Sequence, residues 1–354
     1  MELRDIGWND WFENQRVNFC STEQKLARII TVNRNRYLVR NEYQEFPATL
    51  TGKFRHLAKS AAEYPCVGDW VCIQNRDSNN EGSIQSVLPR KSFLCRKSAG
   101  KDIDFQMIGA NIDVALIVQS CYFDFNVRRL ERYLVMISES HIEPLLILTK
   151  IDLIETEQLE NLVSTIRNSG INIKIIAISN LTGTGLNQIR EILIPGKTYC
   201  LIGSSGVGKT TLINHLIGHS ELETKTVSNT GEGRHTTVRR QLVMLAEGAL
   251  LIDTPGMREL GILSTDEGID GGYADIAELA KNCRFTNCRH TSEPGCAVLK
   301  ALENGILNQD HYHNYLKIKK ESEFYEMSYA DKRKKDKDFG KFIHTVMKHN
   351  NKRK

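Results

Sequence analysis

The chain has 354 residues, a net charge of +4, and 40% hydrophobic and 25% charged residues, a composition that is ordinary for a soluble protein. Its length exceeds one typical domain, so two or three domains are expected. No apolar run approaches the roughly 20 residues of a membrane helix, and Met1–Asp5 lacks the charged-then-apolar layout of a signal peptide. We therefore expect no membrane association and a cytoplasmic location.

The nine cysteines are distributed unevenly along the chain. Three lie close together, at Cys283, Cys288 and Cys296. The other six occur singly: Cys20, Cys66, Cys72, Cys95, Cys121 and Cys200. This pattern indicates a reducing compartment and one metal site rather than a disulfide framework.

The first part of the chain, assigned to a domain over residues 1–105, contains several short β-type runs bounded by turn residues. Five such strands within about 70 residues suit a small closed barrel, and the OB-fold is the leading candidate. The predicted strands are Ala27–Val32, Arg36–Arg40, Ala48–Phe54, Asp69–Gln74 and Gly82–Leu88.

Basic and aromatic side chains are frequent in this barrel region. OB-folds often bind single-stranded nucleic acid with such side chains, so we predict an RNA-binding face. The alternative is an ordinary solvated barrel surface, because a fold does not determine a function. The candidate residues are Arg36, Tyr37, Arg40, Lys53, Phe54, Arg55, Lys59, Arg90, Lys91, Arg96 and Lys97.

From Asn111 the pattern changes to alternating apolar strands and helices, which predicts a parallel sheet covered on both faces. We assign this second domain to residues 106–264. Its first predicted elements are the strand Ile112–Val118, the helix Arg128–Ile137, the strand Pro144–Leu148, the helix Thr156–Ser169 and the strand Lys174–Ile178.

Two loops after these strands resemble the guanine-binding loops of GTPases. Thr149-Lys150-Ile151-Asp152 resembles Asn/Thr-Lys-X-Asp, with Thr149 where most GTPases have asparagine. The Asp152 carboxylate can accept hydrogen bonds from N1–H and the 2-amino group of guanine, which adenine does not offer. Ser179-Asn180 resembles the loop whose backbone holds the guanine oxygen, with Asn180 in place of alanine. By itself, a Lys-X-Asp sequence at the end of a strand arises by chance as often as from a guanine-binding role.

A glycine-rich loop follows the apolar strand Thr198–Ile202 and precedes a helical run. It fits the phosphate-loop pattern, in which backbone N–H groups surround a phosphate, a lysine reaches the β and γ phosphates, and a hydroxyl binds Mg²⁺. The alternative is a strand-to-helix turn that is rich in glycine. The predicted nucleotide-binding residues are Gly203, Ser204, Ser205, Gly206, Val207, Gly208, Lys209, Thr210 and Thr211, with Thr210 on Mg²⁺ and Lys209 also in a catalytic role.

Two further segments resemble the switches of GTPases. In the polar loop that contains His235, either Thr236 or Thr237 is the expected Mg²⁺ ligand. Asp253, at the end of the apolar strand Ala249–Ile252, begins an Asp-X-X-Gly motif in which it holds Mg²⁺ through water.

The same motif ends at Gly256, whose N–H is expected to face the γ-phosphate. Met257 follows, where many GTPases have the glutamine that orients the attacking water. His235 is the best candidate for that role; alternatively it only stabilises the switch or contacts RNA.

The last region, residues 265–354, contains a cluster of metal-ligand residues. The pattern Cys283-X4-Cys288-X-His290-X5-Cys296 supplies a Cys₃His set for one structural zinc ion, and the alternative is a loop of reduced cysteines. Helices are predicted at Ala297–Leu307 and His311–Glu326, followed by a basic tail over Lys332–Lys354.

The basic tail either binds RNA or is a solvated extension. Histidines outside the metal cluster are expected at the surface: His311, His313, His344 and His349.

Together these motifs resemble the ribosome small-subunit-dependent GTPase A (RsgA) family over nearly the whole chain. The guanine loops precede the phosphate loop, so the α/β P-loop GTPase domain is circularly permuted, between an N-terminal OB-fold barrel and a mainly helical zinc-binding domain. The most specific motifs are Gly233–Thr237, Asp253–Leu260 and the cysteine cluster.

The resemblance implies a cytoplasmic, monomeric GTPase that binds GTP and GDP with Mg²⁺. It also implies binding to the 30S subunit and its 16S rRNA late in maturation, near the decoding region, with stimulation by that subunit. Two alternatives stay open. One is an RNA-binding assembly factor that uses GTP only as a binding switch, and the other is a P-loop NTPase with a non-ribosomal partner.

Overall fold

The structure is a computed structural model that describes residues 1–33, 36–58, 60–76, 81–97, 105–123, 125–218, 240–253 and 266–326. The predicted switch residues His235, Thr236, Thr237 and Gly256 lie outside the described residues, as does the basic tail. Within the described part of the chain, no helix is both long enough and apolar enough to cross a membrane.

Five strands of the N-terminal region form a closed barrel, in the order β1-β2-β3-β5-β4 with β4 paired back onto β1. β3 and β5 are parallel, and the other neighbours in the barrel are antiparallel. This connectivity is that of the predicted OB-fold. The strands are β1 (Lys25–Asn33), β2 (Arg36–Arg40), β3 (Glu45–Leu50), β4 (Trp70–Arg76) and β5 (Glu81–Val87).

The third predicted strand, Ala48–Phe54, is wrong in its second half. β3 ends at Leu50 and helix α2 (Gly52–Leu57) begins two residues later. The Thr51 hydroxyl accepts a hydrogen bond from the Phe54 N–H at 3.2 Å, which caps the helix and satisfies one of its free donors. Threonine generally favours strands, but the side chain of Thr51 caps a helix here.

Three further elements flank the barrel. Helix α1 (Asp10–Phe19) precedes it and is capped by Asn9. A hairpin of β6 (Phe93–Lys97) and β7 (Phe105–Ala110) connects it to the next region. Short 3₁₀ turns lie at Leu3–Ile6, Ala61–Glu63 and Ile151–Leu153.

The α/β region has the strand order β10-β9-β8-β11-β13-β12, in which all neighbours are parallel except β12 and β13. β12 also pairs with β1 at Gln241 and Thr31, so the barrel and the α/β sheet are continuous. The strands are β8 (Val114–Ser120), β9 (Glu143–Thr149), β10 (Lys174–Ala177), β11 (Thr198–Ile202), β12 (Gln241–Met244) and β13 (Leu250–Asp253).

Helices cover both faces of this sheet, as predicted. Ile117 packs in the core cluster that contains Leu130 of α3, whereas its neighbour Leu116 packs in the cluster that contains Leu212 of α6. Successive strand residues point to opposite faces, so both must be apolar when both faces are buried. The helices are α3 (Val127–Glu139), α4 (Thr156–Asn168), α5 (Leu186–Ile192) and α6 (Lys209–Ile217).

The C-terminal region is helical and packs against α3. Val135 of α3 lies in one apolar cluster with Ile269 and Tyr273. A side chain at Gly272 would meet the Val135 backbone nitrogen at 2.9 Å, so the close approach of the two helices requires glycine. The helices are α7 (Asp266–Gly272), α8 (Ala274–Ala280), α9 (Ala297–Glu303) and α10 (Gln309–Glu326).

Two predictions about single residues are wrong. Cys20 and Cys72, expected to be unpaired, form a disulfide, because the end of α1 lies beside β4. His311, expected at the surface, is buried between α3 and α8, whereas His313 is exposed as predicted.

Candidate nucleotide site and metal centre

In the part of the chain that the structure describes, the predicted nucleotide-binding residues lie at the carboxyl ends of four strands of the α/β sheet. Thr149 is the last residue of β9, Ser179 lies two residues beyond β10, Gly203 follows β11, and Asp253 ends β13. Carboxyl ends of parallel strands face one edge of a sheet, and ligands of open α/β folds bind there. Segments that are distant in the sequence therefore meet at one site.

The phosphate loop has the backbone that its glycines permit. Gly203 has φ +148°, and a side chain there would lie 2.2 Å from the Val118 oxygen of β8. Gly208 has φ +98° and precedes the first residue of α6, so the helix begins at Lys209. The N–H groups at this helix start are the expected phosphate donors.

Lys209 lies against its own loop. Its ammonium group donates to the Gly203 oxygen at 2.7 Å and also to the Ser204 oxygen. In the predicted complex, phosphate oxygens would accept the hydrogen bonds of Lys209 in place of these carbonyl oxygens. The charge of Lys209 is therefore held over the glycine loop.

The two guanine-type loops contact each other directly. The Ser179 hydroxyl donates to the Asp152 Oδ1 at 2.5 Å, and it accepts from the N–H groups of Leu181 and Thr182. Lys150, between Thr149 and Asp152, has φ +63°, a left-handed conformation that is uncommon for non-glycine residues. The Asp152 carboxylate is thus oriented by a buried serine.

Asp253 has the chemistry of a cation ligand. Burial raises the pKa of its carboxyl group. A nearby divalent cation would favour the charged form and reverse that shift. The oxygen donors of Asp253 and Thr210 are of the kind that Mg²⁺ prefers.

The four predicted zinc ligands lie together in the C-terminal region. Their ligand atoms all lie within 4.8 Å of one another. The Cys283 and Cys296 sulfurs are 3.8 Å apart, and the His290 Nδ1 lies 3.6 Å from Cys283 and 3.4 Å from Cys296. Around a tetrahedral zinc, the known bond lengths give S···S edges of about 3.8 Å and S···N edges of about 3.5 Å. These three distances therefore fit a metal ion bound by Cys283, His290 and Cys296, with Cys288 near enough to be the fourth ligand.

The same cluster organises the helices around it. The Cys296 sulfur accepts from the Leu299 N–H at the start of α9, and the Cys283 sulfur accepts from the Ala297 N–H. The Tyr312 hydroxyl of α10 donates to the His290 oxygen at 2.6 Å. A metal ion held here would fix the packing of α9 and α10.

Comparison with known proteins identifies the family. The RsgA GTPase family model matches residues 87–263. The chain is 38% identical to "Small ribosomal subunit biogenesis GTPase RsgA 1" of Bacteroides thetaiotaomicron, over 97% of this chain and 96% of that protein. It is 42% identical to "Small ribosomal subunit biogenesis GTPase RsgA 2" of Lactiplantibacillus plantarum, over 85% and 84%. The chain belongs to the RsgA GTPase family.

Solved structures agree with this assignment. YjeQ from Thermotoga maritima superposes with a TM-score of 0.64 at 26% identity, covering 84% of this chain and 98% of YjeQ. YloQ, described as a circularly permuted GTPase, superposes with a TM-score of 0.63 at 25% identity, covering 87% and 98%. The predicted architecture of an OB-fold barrel, a permuted GTPase domain and a helical domain with a Cys₃His cluster is therefore confirmed for this RsgA-family chain.

Parts of the predicted RNA-binding face are unsuited to that role. Tyr37 is buried in the barrel core. Arg90 donates to both oxygens of the buried Asp69 and to the carbonyl groups of Ala62 and Tyr64. These two side chains stabilise the barrel of this RsgA-family protein, whereas Arg36 and Arg55 are exposed.

Arg129 is a neighbour of the phosphate loop that the sequence did not indicate. It lies in the first turn of α3, and its guanidinium donates to the Ser204 hydroxyl. The two residues are 75 positions apart, and helical spacing alone gives no sign that α3 begins beside this loop of the RsgA-family site.

Proposed function

We propose that this chain binds and hydrolyses GTP, and that its nucleotide state controls association with the small ribosomal subunit. The convergence of the phosphate loop with the Asp152–Ser179 pair at one sheet edge carries the proposal, because it combines polyphosphate binding with a guanine-specific carboxylate. The names of the relatives quoted above add small-subunit biogenesis.

The roles of individual residues follow from their positions in the site. Lys209 and the loop from Gly203 to Thr211 hold the phosphates, and Thr149, Lys150, Asp152, Ser179 and Asn180 form the guanine side. Thr210 and Asp253 hold Mg²⁺, together with Thr236 or Thr237 of the first switch. The Gly256 N–H meets the γ-phosphate. Mg²⁺, when bound, neutralises charge that develops on the phosphates.

Hydrolysis requires a group that orients the attacking water. Met257 cannot do this because a thioether is at most a weak acceptor. We assign the role to His235. His235→Ala should leave GTP affinity near normal and depress subunit-stimulated turnover; intact stimulated turnover would show that His235 only stabilises the switch or contacts RNA.

The remaining assignments concern partners and cofactors. The Cys₃His cluster holds one structural Zn²⁺, because all four metal positions are filled by protein ligands. The partners are GTP, GDP and the 30S subunit with its 16S rRNA, and the protein is a cytoplasmic monomer. We retain the domain bounds 1–105, 106–264 and 265–354; the first boundary falls at the start of β7.

The test is GTP turnover by the purified chain, alone, with 30S subunits and with 50S subunits. We expect slow turnover that rises strongly with 30S subunits only, and loss of that turnover in Lys209→Ala. Slow turnover that neither subunit changes would support GTP hydrolysis but contradict the assignment of the small ribosomal subunit as the partner. RNA binding that is unaffected by Lys209→Ala, without turnover, would favour an RNA-binding factor instead.

A further inference from the structure

Two carbonyl groups at the end of the phosphate loop accept hydrogen bonds from the two guanine-type loops. The Thr149 hydroxyl donates to the Val207 oxygen at 2.6 Å. The Asn180 amide donates through Nδ2 to the Gly208 oxygen at 3.1 Å. Adjacent peptide groups of one loop are thus each held by a side chain from a different loop.

Each of the two side chains satisfies one of these carbonyl groups. A hydroxyl has one donor hydrogen, and that of Thr149 is directed at Val207, with the Gln119 oxygen as a longer contact at 3.3 Å. An asparagine at position 149, as in most GTPases, would have two donors on one amide. An alanine at position 180, the usual residue there, would have none.

The Asn180 amide lies directly against the last glycine of the loop. A side chain at Gly208 would approach Nδ2 within 2.7 Å. With the amide turned over, two oxygen atoms would face each other and neither could donate, so the orientation with Nδ2 towards Gly208 is the favourable one. The Asn180 main chain is also held, because its oxygen accepts from the His215 Nε2 of α6 at 2.9 Å.

A purely structural role for this amide is a poor explanation. The Asn180 Oδ1 is buried without a hydrogen-bond partner among the described residues. The Oδ1 side of the amide therefore makes no stabilising hydrogen bond to the described residues. Its other side orients Gly208, directly before Lys209 and the phosphate-facing start of α6.

We propose that Asn180 is a positioning residue that shares with Thr149 the task of holding the phosphate loop. The guanine-type loop after β10 thereby also sets the backbone at the start of α6. One side chain thus links the guanine-type loop to the phosphate loop. This inference rests on the proposed nucleotide binding, for which Thr149 and Asn180 would hold the phosphate loop in place.

The test is a set of four variants: Asn180→Ala, Asn180→Asp, Thr149→Asn and the double variant Thr149→Asn with Asn180→Ala. The measurement is equilibrium binding of GDP and of its inosine analogue, which lacks the 2-amino group that Asp152 contacts. Asn180→Asp keeps the size of the side chain, replaces the donor by an oxygen and adds a negative charge, so unchanged GDP binding in this variant would exclude a role for the hydrogen bond. Thermal unfolding of each variant shows whether it is folded.

We expect Asn180→Ala to weaken GDP binding roughly three- to tenfold, the loss that one net hydrogen bond predicts. Asn180→Asp should lose at least as much. The ratio of GDP to inosine diphosphate affinity should stay unchanged, because Asp152 is intact. The double variant should bind GDP more tightly than Asn180→Ala, because an asparagine at 149 supplies both donors.

Two outcomes would overturn the inference. One is a folded Asn180→Ala or Asn180→Asp that binds GDP as tightly as the unaltered chain. The other is a double variant that binds GDP no more tightly than Asn180→Ala. If the unaltered chain binds no guanine nucleotide, the proposed function itself fails, which is a separate result.

Discussion

The His311 Nδ1 lies 2.5 Å from the Glu131 Oε1, and the two residues join helix α10 to helix α3 in the interior of the protein. The other ring nitrogen of His311 contacts the Asp275 carboxylate at 3.1 Å, and the Tyr273 ring packs beside it at 4.8 Å. The Asn314 amide donates to Glu131 and to Tyr273. A polar network thus connects the GTPase domain to the helical region.

The pKa of His311 makes this network dependent on pH. Burial alone would lower the pKa, but hydrogen bonds to Asp275 and Glu131 outweigh burial and raise it to about 9. This folded-state pKa exceeds the ordinary value of 6.5. The stabilisation that protonated His311 contributes is therefore fully present below about pH 6.5 and is lost as the pH rises through about 9. The pKa of Asp275 is lowered: burial opposes the shift, and hydrogen bonding to His311 outweighs it. The stabilisation that ionised Asp275 contributes is therefore lost as the pH falls through its lowered folded-state pKa.

We predict that His311→Gln lowers the free energy of unfolding by about 3 kcal/mol at pH 7, because it leaves the buried Glu131 carboxylate without its cation. The deficit should shrink above about pH 9, where His311 loses its charge. Urea unfolding at both pH values measures it. The exposed neighbour His313 provides the control His313→Gln, and equal stability of the two variants at pH 7 would contradict the prediction.

A second prediction concerns base selectivity. Asp152→Asn should weaken GTP binding and improve binding of xanthosine triphosphate, because an amide can donate to the extra oxygen of xanthine. Competition binding with both nucleotides measures the change. The control is Asp310→Asn, a surface carboxylate on α10. An unchanged preference for GTP over xanthosine triphosphate would exclude the guanine-binding role of Asp152.

A third prediction concerns the metal centre. The purified chain should contain about one zinc ion, and Cys288→Ser should lose it and destabilise α9 and α10, because the ligands cap and link these helices. Zinc retention should also fall as the pH falls, since protons compete for thiolates and imidazole. Elemental analysis measures this. Cys95→Ser, outside the cluster, should keep its zinc; full zinc content in Cys288→Ser would contradict the assignment.

Arg28 joins the barrel to the α/β sheet. The side chain is buried and donates to carbonyl oxygens of Ile6, Gly68 and Asn111 and to the hydroxyl of Thr198 at the start of β11. All four acceptors are neutral. Burial lowers the pKa of Arg28 to about 10, although the charges of Asp113 and Asp69 act in the opposite direction.

We predict that Arg28→Ala destabilises the protein by about 2–4 kcal/mol, because several acceptors lose a charged donor and a cavity forms. Urea unfolding measures the change. The matched control is Arg36→Ala, an exposed arginine in the neighbouring strand β2, which should change stability by less than about 0.5 kcal/mol. A similar small change in both variants would show that Arg28 does not stabilise this junction.

Local patterns in the sequence determined much of this protein. The phosphate loop, the Cys₃His set and the alternation of strands and helices each depend on residues within a few turns of one another. Glycine conformation, metal-ligand spacing and side-chain periodicity are short-range constraints, so they can be inferred without knowing the fold. The permuted order of the motifs was likewise visible in the linear chain.

Long-range packing determined the rest. The contact of Asn180 with Gly208, the burial of His311 beside Glu131 and the pairing of Cys20 with Cys72 join residues that are far apart in the chain. A side chain's periodicity does not show which element will cover it. Only the docking of α10 on α3 turned an expected surface histidine into a buried cation. The physical reason is that its partners are contributed by other helices.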